Sequence, residues 1–291
     1  MLSMNTDYCK DTGSPEPYLE RIGEAGFSHV HWCHQWNSDF LYSSWEVDEI
    51  RKWLEKSGLK LLDLHASVGQ EKNWVSLREY ERLSGLELVR NRIEMTGRLG
   101  ADATILHIPG TPEGSEAVFR DALRRSIDSL ESFARARRVR IAVENDYNYN
   151  LVHAVMKSVF AEYGPDFLGL CYDSGHGNMD GGGLDQLESL KDRLIAVHLH
   201  DNDGKSDQHK LPFSGTVDWP RLAKIIAGSS YGKCLNLEVT IHGSGIGDER
   251  AFLAEAFERA ATFGGWSKRP DPAAALELAS GNPFNSIGIL I

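Results

Sequence analysis

The stretch that decides the fold is "LIAVHLHDNDGKSDQH", residues 194–209. It begins with a short apolar run rich in branched residues, which is typical of a parallel strand buried on both faces. The run ends at His198 and His200, and the polar segment behind it carries Asp207 and His209. In parallel α/β proteins the functional residues stand at such strand ends.

The same kind of run recurs along the chain, at residues 27–32, 59–65, 103–108, 140–145, 168–173 and 235–240. Helical patterns separate the runs, most clearly at 15–26, 76–100 and 115–138, and the last of these starts with a serine cap and an acidic first turn. An eighth strand is needed before the helix at 15–26. The weakly apolar "LSMNTDY" (2–8) is the only candidate for it.

Strand–helix alternation repeated eight times predicts an α/β fold, the parallel eight-stranded (β/α)8 or TIM barrel, over residues 1–265. An open doubly wound sheet is the competitor, but its Gly-rich fingerprint after the first strand is absent. Residues 266–291 form a tail with proline, glycine and asparagine breaks and an apolar end. We expect this tail to pack on the barrel or on a subunit partner, as in a homodimer or homotetramer.

Composition narrows the class of partner. The formal net charge of −11 argues against nucleic acid and membrane surfaces as partners. The four cysteines form no CxxC pair, the N-terminus lacks the apolar core of a signal peptide, and no stretch approaches 18 apolar residues. These features predict a cytoplasmic protein.

Ligand-type side chains stand at the ends of six consecutive predicted strands. The third, fourth, fifth and eighth strands end at His65, His107, Glu144 and Glu238. The sixth ends at Asp173 and is followed by His176, and the seventh ends at His198 and His200 and is followed by Asp207 and His209. Any one of them could be a helix cap or a satisfied structural group. The set as a whole indicates a cation, because burying so many acids at one barrel mouth is costly without one. Mixed nitrogen and oxygen ligands favour Mn²⁺, Zn²⁺, Co²⁺ or Fe²⁺ over Ca²⁺.

The order Glu144, Asp173, His198, Glu238 resembles the xylose-isomerase-like barrel superfamily, over about residues 1–265. This superfamily comprises sugar phosphate isomerases and epimerases and is related to endonuclease IV. The supporting motifs are "VEN" (143–145), "YDSGH" (172–176), "HLHDNDGKSDQH" (198–209), "GTVDW" (215–219) and "LEVT" (237–240).

The resemblance implies one divalent metal, Mn, Zn, Co or Fe, bound by Glu144, Asp173, His198 and Glu238. It makes His200 a substrate-binding residue or a partner of a ligand. In endonuclease IV, the counterparts of five further residues hold two additional zinc ions, so the resemblance also allows two or three Zn. Those residues are His65, His107, His176, Asp207 and His209.

The main hypothesis is a divalent-metal-dependent isomerase or epimerase acting on a small sugar or sugar phosphate. Glu144 and Glu238 would be catalytic and move a proton through a metal-stabilised enediolate. Trp32 would bind the substrate by forming an apolar wall against the sugar. The loop "LPFSGTVDW" (211–219) resembles that of the isomerase branch, although Phe213 and Ser214 depart from its usual pattern.

Three alternatives stay open. An endonuclease IV-like multi-zinc phosphodiesterase or AP endonuclease would use the same ligands. The lysines and arginines that several phosphate contacts require are not clustered on the catalytic side, which disfavours it. A dehydratase of a sugar or cyclitol would use the same enediolate chemistry, and a non-enzymatic sugar-binding barrel is the third alternative.

Overall fold

The computed structural model describes residues 1–37, 40–66, 72–108, 114–146, 149–179 and 181–267. The predicted tail falls almost entirely on residues 268–291, which lie outside the described residues. Its packing therefore stays a prediction.

Eight strands form one sheet in which every strand pair is parallel. They are β1 (Leu2–Asn5), β2 (His29–Trp32), β3 (Lys60–His65), β4 (Ala103–His107), β5 (Arg140–Glu144), β6 (Leu168–Asp173), β7 (Leu194–His198) and β8 (Leu235–Leu237). The order around the sheet is β7-β6-β5-β4-β3-β2-β1-β8.

The sheet closes where β7 meets β8. Leu199 and Leu237 form a parallel bridge. The Leu199 N–H donates to the Asn236 carbonyl at 3.0 Å, and the Glu238 N–H donates to the Leu199 carbonyl at 3.2 Å. The predicted TIM barrel is confirmed, including the first strand, which had the weakest apolar pattern.

Helices surround the barrel on the outside. In the described residues they are α1 (Glu16–Glu24), α2 (Ser44–Lys56), α3 (Glu79–Arg98), α4 (Glu116–Ala136), α5 (Tyr149–Glu162), α6 (Ser174–Met179), α7 (Gly183–Leu190), α8 (Trp219–Ala227) and α9 (Glu249–Ser267). The predicted serine cap of α4 is present, because the Ser115 side chain accepts from the Val118 N–H. None of the helices in the described part of the chain is long and apolar enough to span a membrane.

Part of the buried core at β4 to β7 is an apolar cluster that includes Ala142, Cys171 and Ala196. Side chains alternate along a strand, so residues two positions further on point to the same side. Glu144, Asp173 and His198 therefore follow this apolar cluster on β5, β6 and β7, at the C-terminal ends of the strands.

Candidate metal centre

The four residues predicted as core ligands converge at the C-terminal end of the barrel. One ligand atom from each of Glu144, Asp173, His198 and Glu238 lies within 4.8 Å of the others. His198 Nδ1 is 2.8 Å from a carboxylate oxygen of Glu238 and 3.2 Å from one of Glu144. Three of the four side chains are at most 1% exposed, and that of Glu238 is 13% exposed.

Strong local charge keeps both glutamates ionised. Burial alone would raise the pKa of Glu144, but the neighbouring His198 and His107 outweigh it and hold that pKa well below its usual range. Burial acts on Glu238 in the same way and is outweighed by His198, so its pKa is also well below normal. Buried carboxylates this close together need compensating positive charge, from protonated imidazoles or from a bound cation.

The donor set fits a divalent cation. Glu144 Oε2 is buried and makes no hydrogen bond of good geometry, although the Nε2 atoms of His65 and His107 lie 3.4 and 3.3 Å away. Carboxylate oxygens and imidazole nitrogens at this spacing are ligands that zinc, manganese, cobalt and iron accept.

The other predicted residues surround this core in two groups. His65 and His107 form the first group with Glu144, and their Nε2 atoms are 3.1 Å apart. His200, Asp207 and His209 form the second, in which the imidazoles of His200 and His209 stack with ring centroids 4.1 Å apart.

His176 joins the second group through Asp207, since its Nε2 lies 3.5 Å from that carboxylate. Burial would lower the pKa of His176, but Asp173 and Asp207 raise it to about 11. Burial would also lower the pKa of His209, but Asp207 raises the pKa of His209 to about 10. The Nε2 atom of His209 lies 3.0 Å from the Asp207 carboxylate. Every predicted ligand-type residue therefore lies at one mouth.

His200 acts on the core through Asp173. Its Nε2 is 3.0 Å from Asp173 Oδ2, and its side chain is fully buried. The short helix α6 makes this contact possible, because Gly175 leaves room for the imidazole. This contact is the one that a partner of Asp173 would make, and both roles expected for His200 stay predictions.

Trp32 lies deeper than a substrate wall requires. It is 1% exposed, donates its indole N–H to Tyr42 at 3.3 Å, and packs edge-on against Tyr42 and His34. Its substrate-binding role stays a prediction. The neighbouring strand position, His31, has the opposite orientation and faces the metal centre.

Sequence reasoning did not single out His31 and Asp63, a buried histidine–carboxylate pair beside Glu238. The two-residue period of a β-strand would have indicated Asp63. Asp63 precedes His65 by two positions on β3, and in-phase polar residues of a buried strand share one face.

Asp201 was also missed, and it builds the loop that carries Asp207 and His209. Its fully buried carboxylate accepts from the backbone N–H groups of Asn202, Gly215 and Val217 at 2.9, 2.9 and 3.1 Å. It also accepts from the Trp219 indole at 2.8 Å. Four donors on one carboxylate fix both ends of the loop.

Residues 19–258 match the model of the xylose isomerase-like TIM barrel family. The chain belongs to this family. A protein from Sinorhizobium fredii, described as uncharacterized protein y4fM, is 37% identical over 249 residues, which are 76% of this chain and 79% of that protein.

Solved structures with the same barrel include an L-ribulose 3-epimerase, with a TM-score of 0.75 and 13% identity over 100% of this chain and 99% of that one. The IOLI protein, solved with a zinc atom bound, has a TM-score of 0.68 and 14% identity over 92% of this chain and 97% of that one. D-psicose 3-epimerase structures also match. At these identities the likeness shows the xylose isomerase-like fold.

Proposed function

We propose that this xylose isomerase-like barrel is a divalent-metal-dependent isomerase or epimerase of a small sugar or sugar derivative. The observation that carries the proposal is the placement of Glu144 and Glu238. Both carboxylates lie beside His198 Nδ1, Glu144 fully buried and Glu238 13% exposed, and they come from strand ends three positions apart around the barrel. Sugar epimerases among the structural neighbours support this class of reaction.

The metal would be held by Glu144, Asp173, His198 and Glu238, with His200 fixing the Asp173 carboxylate. A divalent cation supplies a Lewis acid that polarises a substrate carbonyl and so acidifies the hydrogen on the adjacent carbon. The bound zinc of the IOLI protein supports a metal in this fold.

The two glutamates would carry the proton. Their low pKa values keep them ionised at neutral pH, as a base requires. One carboxylate accepts the proton from the carbon next to the carbonyl. The other carboxyl group, which has to enter the cycle protonated, gives its proton to the opposite face of that carbon, which yields the epimer. It can instead give the proton to the former carbonyl carbon while the proton of the adjacent hydroxyl passes to the former carbonyl oxygen, which yields the isomer.

The test is exchange of substrate hydrogen in D₂O, followed by NMR with the protein loaded with Mn²⁺, Co²⁺ or Zn²⁺ and a panel of ketoses and aldoses. Glu144→Gln and Glu238→Gln should each lower the exchange rate by about 10²–10⁴-fold, the usual contribution of a positioned general base. Glu94→Gln, on the outer helix α3, is the control and should match the wild type. Near-native exchange by either glutamine variant would show that the two-carboxylate mechanism is wrong.

A second candidate, a multi-zinc phosphodiesterase, is favoured by one specific observation. The two outer groups bring His65, His107, Asp207 and His209 to the same mouth as the core ligands. Clustered zinc ions can activate water for attack on a phosphodiester. Cleavage of an abasic-site duplex or of bis(p-nitrophenyl) phosphate by the zinc-loaded protein, without any sugar turnover, would favour this candidate.

A further inference from the structure

Asp7, just beyond the mouth end of β1, is held by a side chain that also holds the segment carrying Glu238. Asn5 is the last residue of β1, and its side-chain oxygen accepts from the Val239 N–H at 3.0 Å. The Asn5 amide nitrogen donates to the Val239 carbonyl at 3.1 Å and to Asp7 Oδ1 at 2.7 Å. Because Val239 directly follows Glu238, the Asp7 carboxylate lies beside the segment that bears one of the two proposed proton-carrying groups.

Cys33 supports the same oxygen of Asp7 from the neighbouring strand. Its thiol, one residue beyond β2, donates to Asp7 Oδ1, and its N–H donates to Thr6 Oγ1 at 3.1 Å. Burial, and then the charges of Asp7 and Glu238, raise the pKa of the Cys33 thiol well above its ordinary value, so the thiol stays protonated and can donate. Both carboxylates therefore lie close to one side chain at the ends of β1, β2 and β8.

The backbone is fixed on both sides of Asp7. The Thr6 N–H donates to the His31 carbonyl at 3.0 Å, and the Ile241 N–H donates to the Tyr8 carbonyl at 2.8 Å. The side chain of Tyr8 is fully buried. A group held in this way keeps its position before a ligand arrives, so binding requires little further ordering of the protein.

The second oxygen of Asp7 has a different environment. Both donors reach Oδ1, and no donor from the described residues reaches Oδ2. Asp7 is partly exposed, whereas Asn5 beneath it is buried. A carboxylate oxygen can only accept hydrogen bonds, so the group that meets Oδ2 at the mouth has to be a donor. A phosphate or carboxylate group at this position would be repelled by Asp7 and Glu238.

We propose that Asp7 is a specificity-determining residue that accepts a hydrogen bond from a hydroxyl group of the substrate. This inference deepens the proposed function and rests on it. It narrows the substrate class to a polyhydroxylated compound that carries a neutral hydroxyl group, and no phosphate or carboxylate, at the position facing the end of β1.

Asp7→Asn tests this assignment with little change in shape. The contacts with Asn5 and Cys33 both need an oxygen acceptor, so the side-chain oxygen of the variant should take the place of Oδ1. Its amide nitrogen then replaces Oδ2 and turns an acceptor into a donor. Asp11→Asn is the matched control, because Asp11 is an exposed aspartate in the same segment between β1 and α1.

The experiment measures kcat and KM for hydrogen exchange in D₂O, with each protein loaded with the most active of Mn²⁺, Co²⁺ and Zn²⁺. The substrates are the sugar that the wild type exchanges fastest and its deoxy analogues, one for each hydroxyl group remote from the exchanging carbon. With the wild type, one analogue should have a kcat/KM about 10–100-fold below that of the parent sugar, the usual contribution of a hydrogen bond to a charged group. Asp7→Asn should lower kcat/KM for the parent sugar to the level of that analogue and leave the analogue unchanged.

A phosphate ester at the same hydroxyl group gives a second readout. The wild type should reject this ester, and Asp7→Asn should reject it less strongly, because the variant has lost one of the two negative charges. Asp11→Asn should match the wild type with every substrate.

Asp7→Ser keeps one oxygen for Asn5 and removes the other, so it serves as the test if Asp7→Asn does not fold. In a folded variant, wild-type kcat/KM for the parent sugar would overturn the role of Asp7 and leave the proposed function standing. An equal fall for the parent sugar and every deoxy analogue would do the same, because a purely structural role gives that result, as would the same selective loss in Asp11→Asn. No exchange of any sugar by the wild type would overturn both.

Discussion

Replacing Gly175 with alanine should damage the candidate metal centre without removing any charged side chain. A Cβ atom at this position would lie 2.0 Å from His200 Cε1 and 2.5 and 2.6 Å from its two ring nitrogens. Ordinary van der Waals contact begins at 3.4 Å, so the ring would have to move by 3.4 − 2.0 = 1.4 Å. The fully buried imidazole has little freedom to do so, because it stacks on His209 and lies 3.0 Å from Asp173 Oδ2.

Two costs follow from this single movement. Overpacking a close-packed site costs about 1–3 kcal/mol. Loss of the hydrogen bond between His200 and the buried Asp173 carboxylate costs about 1.5–3 kcal/mol. Since both arise from one displacement they do not simply add, and we expect Gly175→Ala to lower the free energy of unfolding by about 3 kcal/mol. For a chain of this size that corresponds to a fall in Tm of about 6–12 °C.

The assay is a double-mutant cycle in urea denaturation with Gly175→Ala, His200→Ala and the double variant. Once the imidazole is gone the new methyl group has space, so Gly175→Ala should cost less than about 0.5 kcal/mol in the His200→Ala background. Gly232→Ala is the control, because a Cβ there has no atom within 4 Å and φ is not positive. An equal loss in both backgrounds, or no loss in the wild-type background, would refute the steric argument.

Two further predictions concern carboxylates outside the core of the candidate metal centre. Asp201→Asn places an amide among the donors of the loop 202–218, so unfolding should become easier by about 1–3 kcal/mol and trypsin should cut this loop faster than in the wild type. Equal cleavage rates would show that Asp201 does not hold the loop. Burial would raise the pKa of Asp102, but Lys233 and Arg140 outweigh burial and lower that pKa. The ion pairs of Asp102 with Lys233 and Arg140 therefore stabilise the fold above the unfolded pKa of about 3.9. This stabilisation is lost as the pH falls through the lower pKa of the folded state. Because Asp102 is half exposed, Asp102→Asn should cost only about 1 kcal/mol between pH 5 and 7, and the difference should shrink below pH 4; a difference that grows in acid would contradict the sign.

The barrel could be predicted because the strand patterns and the helical patterns of the sequence alternate regularly. Apolar runs of strand length alternate with helical patterns, two of which end at glycine, and each predicted run contains an observed strand. The strand ends were less certain. The run 235–240 is a strand only at Leu235–Leu237.

The convergence of the predicted ligand residues could be predicted because parallel strands all point their C-terminal ends to one mouth; that these residues bind a metal stays a prediction. The strand period places Asp63 on the same face as His65, but which residues pair with one another deeper in the barrel could not be predicted. Asp63 stands within the apolar run "LKLLDLH", and its partner His31 lies in a different strand, so only the sheet register brings them together. Asp201 was missed for a similar reason, since its donors lie up to 18 positions further along the chain.

The most direct test of a metal-dependent barrel enzyme is the metal content of the purified wild-type protein, measured as equivalents per chain by elemental analysis before and after incubation with Mn²⁺, Co²⁺, Fe²⁺ and Zn²⁺. We predict about one tightly held equivalent, which Asp173→Asn should weaken by removing one charged ligand. Two to three equivalents of zinc would instead favour the phosphodiesterase. A well-folded protein that carries no metal and takes up none would contradict the account.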